Sequence, residues 1–292
     1  MTISDLLGDR QDTPANDLIS IVIPDARDCF RDGRPGPIEP HFLSGRALSA
    51  ASPLEWGPPT FEFPEHGNGM REPVTYRRTI STFSCLSLKN CRTQTGEGPH
   101  EYRALQHLEV RTDVVDYQMQ AVTLRSETSA GPRAYTPDVR ILLADGTEEA
   151  WEIKGHWRYF HDPEYAEKLA YAEAAFAGIG VRFRRVVGHE LDRSRTEAFN
   201  VTRAFHNRFT KSDRHDSEAA LDTLARRGGV APMGEVQEAL HPDRRIARAK
   251  ANALLCRRQI VFSLIAPITA DTPVTAPPPL PADLRDVRNL NL

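Results

Sequence analysis

Asp138, Glu152 and Lys154 are the residues of this 292-residue chain whose types and spacing most directly promise chemistry. Glu152 and Lys154 stand two residues apart in the short run 150–154, and on a strand such a pair points to one face. Asp138 opens a second apolar run, 138–143, and the Asp145-Gly146 pair between the runs is the turn signal of a β-hairpin. Antiparallel pairing sets the start of the first run beside the end of the second, so Asp138 can join Glu152 and Lys154. Two carboxylates and an ammonium at one spot can hold a divalent cation and position a water. Charges on apolar strands are costly without a function or a partner. Glu152-Ile153-Lys154 is also the only acid-x-Lys triplet in a chain with five lysines. A buried ion-pair network is the competing reading of the same three residues.

The elements around the hairpin must position it. Residues 100–109 read as a helix, because Tyr102, Leu105 and Leu108 recur at a spacing that faces a core. Glu101 falls in its first turn, where the helix dipole alone would favour an acid. Residues 74–80 and 83–88 are expected as strands, and 114–124 as one strand or two joined by a bend. After the hairpin, Asp162 and Pro163 suit the N-cap and first position of a second helix that runs to Gly178. A strand follows at 181–187. Helix, strands, helix and strand in this order suit an α/β sandwich with the hairpin at its centre.

The flanks differ in character. In residues 1–70, only 19–23 reads as a strand, and frequent Pro and Gly interrupt the rest, so a flexible or loosely packed arm is expected. Residues 71–192 form the α/β domain. Residues 193–271 are mainly helical, with helices expected at 196–209, 216–227, 232–240 and 244–256. A strand at 259–265 pairing near Ile268 would make this region winged-helix-like, and a plain helical bundle is the alternative. Residues 272–292 read as a Pro-rich extended tail.

Composition sets outer limits. A net charge of −3 and a hydrophobic fraction of 40% are ordinary for a globular protein. No apolar run approaches membrane-spanning length, so no membrane partner is expected. The first ten residues lack the basic-then-apolar pattern of a secretory signal. Cys29, Cys85, Cys91 and Cys256 are scattered, which argues against a zinc site or disulfide framework and for a reducing cytoplasm. Arginines crowd residues 182–208 and 244–258; these are basic faces for nucleic acid or simply solvated surface. His156 and His161 follow the motif without a metal-ligand spacing and read as structural or rim residues.

Pro137-Asp138 followed by Glu152-Ile153-Lys154 resembles the PD-(D/E)xK nuclease superfamily, which commonly draws a further acid from a preceding helix such as the one carrying Glu101. Further residues narrow the resemblance: Ser87-Leu88-Lys89-Asn90, Glu101 eight residues before Glu109, Val114-Val115, Gln120 followed by Val122, and Tyr135-Thr136 before the Pro-Asp pair. In that order they look like the N-terminal domain of the TnsA transposon endonucleases, across residues 71–190. Ala121 replaces the family's proline after the glutamine, and Glu97-Gly98 stands where its members often begin the helix with Glu-Ser.

The resemblance implies a restriction-endonuclease-like mixed sheet flanked by helices, followed by the smaller helical domain. It implies Mg²⁺, with Mn²⁺ able to substitute, held by Asp138, Glu152, the Ile153 carbonyl and Glu101. Lys154 would orient the attacking water or neutralise the phosphorane, and Lys89 and Lys168 are candidates for phosphate contacts. The implied partners are double-stranded DNA, a DDE transposase and an AAA+ ATPase regulator, in a bacterial cytoplasm. Two other readings are a restriction or anti-phage defence nuclease of the same fold, and a non-catalytic adaptor that binds DNA or protein.

Overall fold

The computed structural model describes residues 55–63, 81–282 and 284 of the chain. The strands expected at 19–23 and 74–80 lie outside these residues. At the centre is a four-stranded sheet in the order β4-β7-β8-β9, formed by Val114–Met119, Val139–Leu143, Glu148–Lys154 and Val181–Val187. The expected hairpin is β7 and β8, paired antiparallel with Val139 opposite Trp151. Its turn closes at Gly146, whose φ of 86° suits a residue without a Cβ. Strand β9 runs parallel to β8, and a parallel neighbour needs a crossover. Helix α2, Pro163–Ala177, supplies it and starts at Asp162, whose side chain accepts the Tyr165 N–H.

Alternation along the strands divides the core. On one side, Leu105 and Leu108 of helix α1, Gly98–Val110, meet Val139, Ile141, Trp151 and Ile153. On the other side, Leu169, Ala172 and Phe176 of α2 meet Ala150 and Phe183. Ala150, Glu152 and Lys154 share parity, so both charged residues of the triplet face the α2 side.

The stretch 114–124 is two strands. Gln120 takes a left-handed conformation (φ 50°) and turns the chain out of the central sheet. Beyond it, β5, Thr123–Thr128, pairs with β6, Gly131–Tyr135, and with β1, Thr60–Glu62, in a second sheet. Thr60–Glu62, expected in the loosely packed arm, are therefore a strand of this sheet, and Trp56 bridges to Thr128 at its end. Their aromatic rings outweigh the interrupting Pro and Gly. Trp56 stacks on Tyr171 with ring centroids 4.2 Å apart, and Phe61 packs on Phe176 at 5.3 Å. The polar residues ahead of α1 are also a strand: β3, Thr93–Glu97, pairs with β2, Thr82–Leu86.

Helices α3 to α6, Arg195–Asn207, Arg214–Arg226, Met233–Leu240 and Arg244–Cys256, fall close to their expected spans. Their core is continuous with that of α1 and the central sheet, through Val201, Phe205, Leu254 and Leu255. The strand expected at 259–265 reduces to one bridge, Val261 with Thr275. The loop after it gives the carbonyls of Leu264 and Ala266 to the Asn200 side-chain amide, both at 2.9 Å, instead of to a strand near Ile268. The pairing strand comes later: β11, Pro273–Thr275, pairs with β10, Val230–Pro232. Helix, strand, two helices and a closing strand is the order of a winged helix. The segment read as an extended tail thus supplies β11, and beyond it Leu280 and Leu284 pack on Val115 of the central sheet. Proline is tolerated here because β11 is short and begins on one. Among the described residues, no helix is long and apolar enough to cross a membrane.

Candidate active site

Asp138 sits one residue before β7, and the backbone around it is pinned on both sides. Its N–H donates to the Trp151 carbonyl at 2.9 Å, and its own carbonyl accepts the Gln120 N–H at 2.9 Å. Its Oδ2 atom accepts the Ile153 N–H at 2.6 Å. The carboxylate is thereby locked against the end of β8, as the hairpin pairing requires. Glu152 is buried there, 3% exposed. The Tyr135 hydroxyl donates to its Oε2 at 2.6 Å. The Tyr165 hydroxyl and the Lys154 ammonium both donate to its Oε1. Lys154 also donates to the Ile153 carbonyl at 3.3 Å, and its ammonium lies 5.3 Å from the centre of the Tyr165 ring.

These groups share a cleft of about 510 Å³, with Asp138, Glu152 and Lys154 on its floor and Tyr165, Lys168 and Arg125 among its walls. The electrostatics follow from crowding. Burial, then the Glu152 carboxylate beside it, push Asp138 well above the usual carboxylate range. Burial pulls the Lys154 pKa down, but Glu152 and Asp138 more than offset this and hold it above the usual lysine value. Tyr135 and Tyr165 are both raised, first by burial and then by Glu152, so their hydroxyls stay protonated donors.

The structure thus brings Asp138, Glu152, Ile153 and Lys154 together. Glu101 stands at their edge. Its Oε2 atom accepts the Glu97 N–H at 3.1 Å and ties off the first turn of α1, the local role that the helix alone would explain. It still feels the site. Burial pushes its pKa up to about 7, against the pull of the Glu97 N–H and Lys154, with Glu97 and Glu152 adding to the rise.

Lys89, a candidate for phosphate contact, instead donates to the carbonyls of Arg111 and Val114, both at 2.8 Å, and so ties α1 to β4. Lys168 does reach the cleft, stacked 4.7 Å from the Tyr165 ring centre and 5.5 Å from that of Tyr135. His156 accepts the Arg158 N–H and caps a short turn. Two arginines of the basic clusters are internal clamps. Arg208 is 7% exposed, with its guanidinium 3.7 Å from the Phe205 ring centre. Arg258 is 9% exposed and donates to the carbonyls of Thr112 and Pro278.

Three features were not anticipated. Tyr135 and Tyr165 join Lys154 as donors to Glu152. His100, beside Glu101, lies edge-on to His189 and against Gly155 and Gly188, where a Cβ would come within 2.7 and 2.4 Å of its ring. Burial, then His189, lower its pKa. Glu109, eight residues after Glu101, is fully buried and accepts from the Ser87 and Tyr117 hydroxyls at 2.8 Å and from the Leu88 N–H at 2.6 Å.

Among the described residues, no three His, Cys, Asp or Glu side chains gather into a metal cage. Mg²⁺ does not require one, since it keeps several waters and is commonly held through one or two carboxylates. Asp138, Glu152 and the Ile153 carbonyl are hard oxygen donors at one cleft. Burial, and after it the Glu152 carboxylate, raise Asp138, and a bound cation would offset the second of these. Two carboxylates and a carbonyl at one cleft are a donor set that suits Mg²⁺, with Glu101 near enough to interact with Asp138, Glu152 and Lys154.

Residues 111–187, from the end of α1 through β9, match the family described as TnsA-like endonuclease N terminal. The matched segment holds Asp138, Glu152 and Lys154 and stops short of Glu101 and the C-terminal helices. No curated protein matches the chain.

Proposed function

With a TnsA-like endonuclease domain at residues 111–187 as the premise, we propose that the protein is the Mg²⁺-dependent DNA endonuclease subunit of a cut-and-paste transposition system. In this reading it cuts double-stranded DNA at transposon ends beside a DDE transposase, and its helical C-terminal region meets an AAA+ ATPase regulator. The observation that carries the reading is the convergence of Asp138, Glu152 and Lys154 in one cleft within the matched segment.

Asp138 and Glu152, with the Ile153 carbonyl, would hold the metal. Bound there, Mg²⁺ supplies an acidified water and offsets charge on the scissile phosphate. The remaining work falls to the protein. Tyr135 and the backbone N–H of Ile153 fix the two carboxylates, so little reorganisation is needed when charge develops. Lys154, kept protonated by its carboxylate neighbours, presents a point charge suited to a phosphate oxygen. Glu101, with a pKa near 7, is suited to take up a proton at neutral pH. Attack of water on phosphorus breaks the bond to the 3′ oxygen and leaves a 3′-hydroxyl and a 5′-phosphate.

The test is cleavage of DNA carrying transposon ends, with Mg²⁺ and a candidate DDE transposase added. Asp138→Ala and Lys154→Ala should abolish cutting while the protein stays folded. If both variants still cut, the site is assigned wrongly.

A further inference from the structure

Lys154 bonds two acceptors at once, Oε1 of Glu152 and the carbonyl oxygen of Ile153. Both belong to the donor set assigned above to the metal. An ammonium has three donors and no acceptor, so while it is bonded to these oxygens it competes with any cation that they would hold. The rest of the Glu152 carboxylate is also committed: Tyr135 holds Oε2, and Tyr165 shares Oε1 with the lysine. Lys154 has room to leave: its side chain is 30% exposed, and it is a flexible four-carbon stem opening onto the cleft.

We infer that Lys154 is the internal cation of the DNA-free site, and that a divalent metal binds only as its ammonium moves off Glu152 and Ile153. The inference rests on the metal-dependent nuclease reading and adds an order of events to it. Without DNA, metal must displace the lysine and binds weakly. A phosphate ester in the cleft offers the ammonium another acceptor, and by linkage whatever draws the lysine away strengthens metal binding. The lysine therefore keeps the centre closed until a phosphodiester arrives, and then becomes the group that holds it.

Lys168 provides the control. It carries the same charge in the same cleft, close enough to Glu152 to feel it. Among the described residues it makes no hydrogen bond to Glu152 or to the Ile153 carbonyl. A general loss of positive charge would act through either lysine, whereas occupancy of the metal position belongs to Lys154 alone.

The experiment is Mn²⁺ titration of the full-length protein without DNA, followed by calorimetry and by the electron spin resonance of free Mn²⁺. Lys154→Met and Lys154→Gln should bind Mn²⁺ about tenfold or more tightly than the wild type, a gain of about 1.4 kcal/mol. Lys168→Met should stay close to the wild type, and Asp138→Ala should lose binding. Thermal melting of each variant checks that it is folded. Wild-type affinity in both Lys154 variants would overturn the inference and leave the metal reading standing. Tightening by Lys168→Met as large as that by Lys154→Met would also overturn it, in favour of general electrostatics. Absence of Mn²⁺ binding in every form would remove the metal reading, and this inference with it.

Discussion

Glu101→Gln tests the electrostatics of the site through stability rather than activity. The carboxylate is held in the first turn of α1 by the Glu97 N–H, and its pKa rises from 4.5 to about 7, mainly through burial. A carboxylate raised in the folded state favours folding while it is protonated. Its contribution is complete below the unfolded value and is lost as pH rises from 4.5 to about 7. At about 1.4 kcal/mol per pH unit, ionising Glu101 in the fold costs on the order of 3 kcal/mol. Partial exposure to solvent trims this to about 1–2 kcal/mol. Glutamine is close to a permanent copy of the protonated acid and keeps an oxygen for the Glu97 N–H. Glu101→Gln should therefore match the wild type below pH 4.5 and exceed it at pH 8 by about 1–2 kcal/mol, or a few degrees in melting temperature. Urea and thermal unfolding across pH 4 to 8 read this directly. A gap that does not change with pH, or a less stable variant at pH 8, would refute the assignment of Glu101 as a buried, raised acid.

Three further outcomes follow from the contacts. Glu109→Ala leaves two hydroxyls and the Leu88 N–H without their shared acceptor inside the core, and should cost about 3 kcal/mol or more in urea unfolding. Gly188→Ala drives a Cβ to 2.5 Å from the His100 Cβ, and melting should show a loss of about 1–3 kcal/mol. Tyr165→Phe removes one of the two tyrosine donors to Glu152, and under the proposed nuclease function single-turnover cleavage should slow about tenfold, the worth of a hydrogen bond to a charged acceptor. An unchanged rate would take Tyr165 out of the set that positions Glu152.

The hairpin, the cap of α2 and the strand after it are legible in the sequence because each has a local cause: Gly146 at the turn, Asp162 and Pro163 at the helix start, and the β-branched and aromatic residues Val181, Phe183, Val186 and Val187 of β9. The hairpin of β5 and β6 is not, because Gly131-Pro132-Arg133-Ala134 shows neither alternation nor β-branched residues. Its pairing is secured by contacts from Trp56 and Phe61, more than sixty residues away in the chain. Asp138, Glu152 and Lys154 could be joined by strand parity alone. Tyr165 could not, since its reach to Glu152 depends on how α2 crosses the sheet. Lys89 shows the opposite limit: an isolated lysine in a polar turn looks like a phosphate ligand until the two carbonyls that it seals are in place.

The return of the chain after β11 has a mechanical consequence. The helical region leaves the central sheet after β9, and at its far end Leu280 and Leu284 come back to Val115, with Arg258 gripping the Pro278 carbonyl. It is fastened at both ends, like a handle rather than a flail. A pull applied to it is shared between two anchorages and passes into the sheet that carries the β7–β8 hairpin. Shortening the chain at residue 271 would cut one anchorage and remove the strand that pairs with β10 in the same stroke.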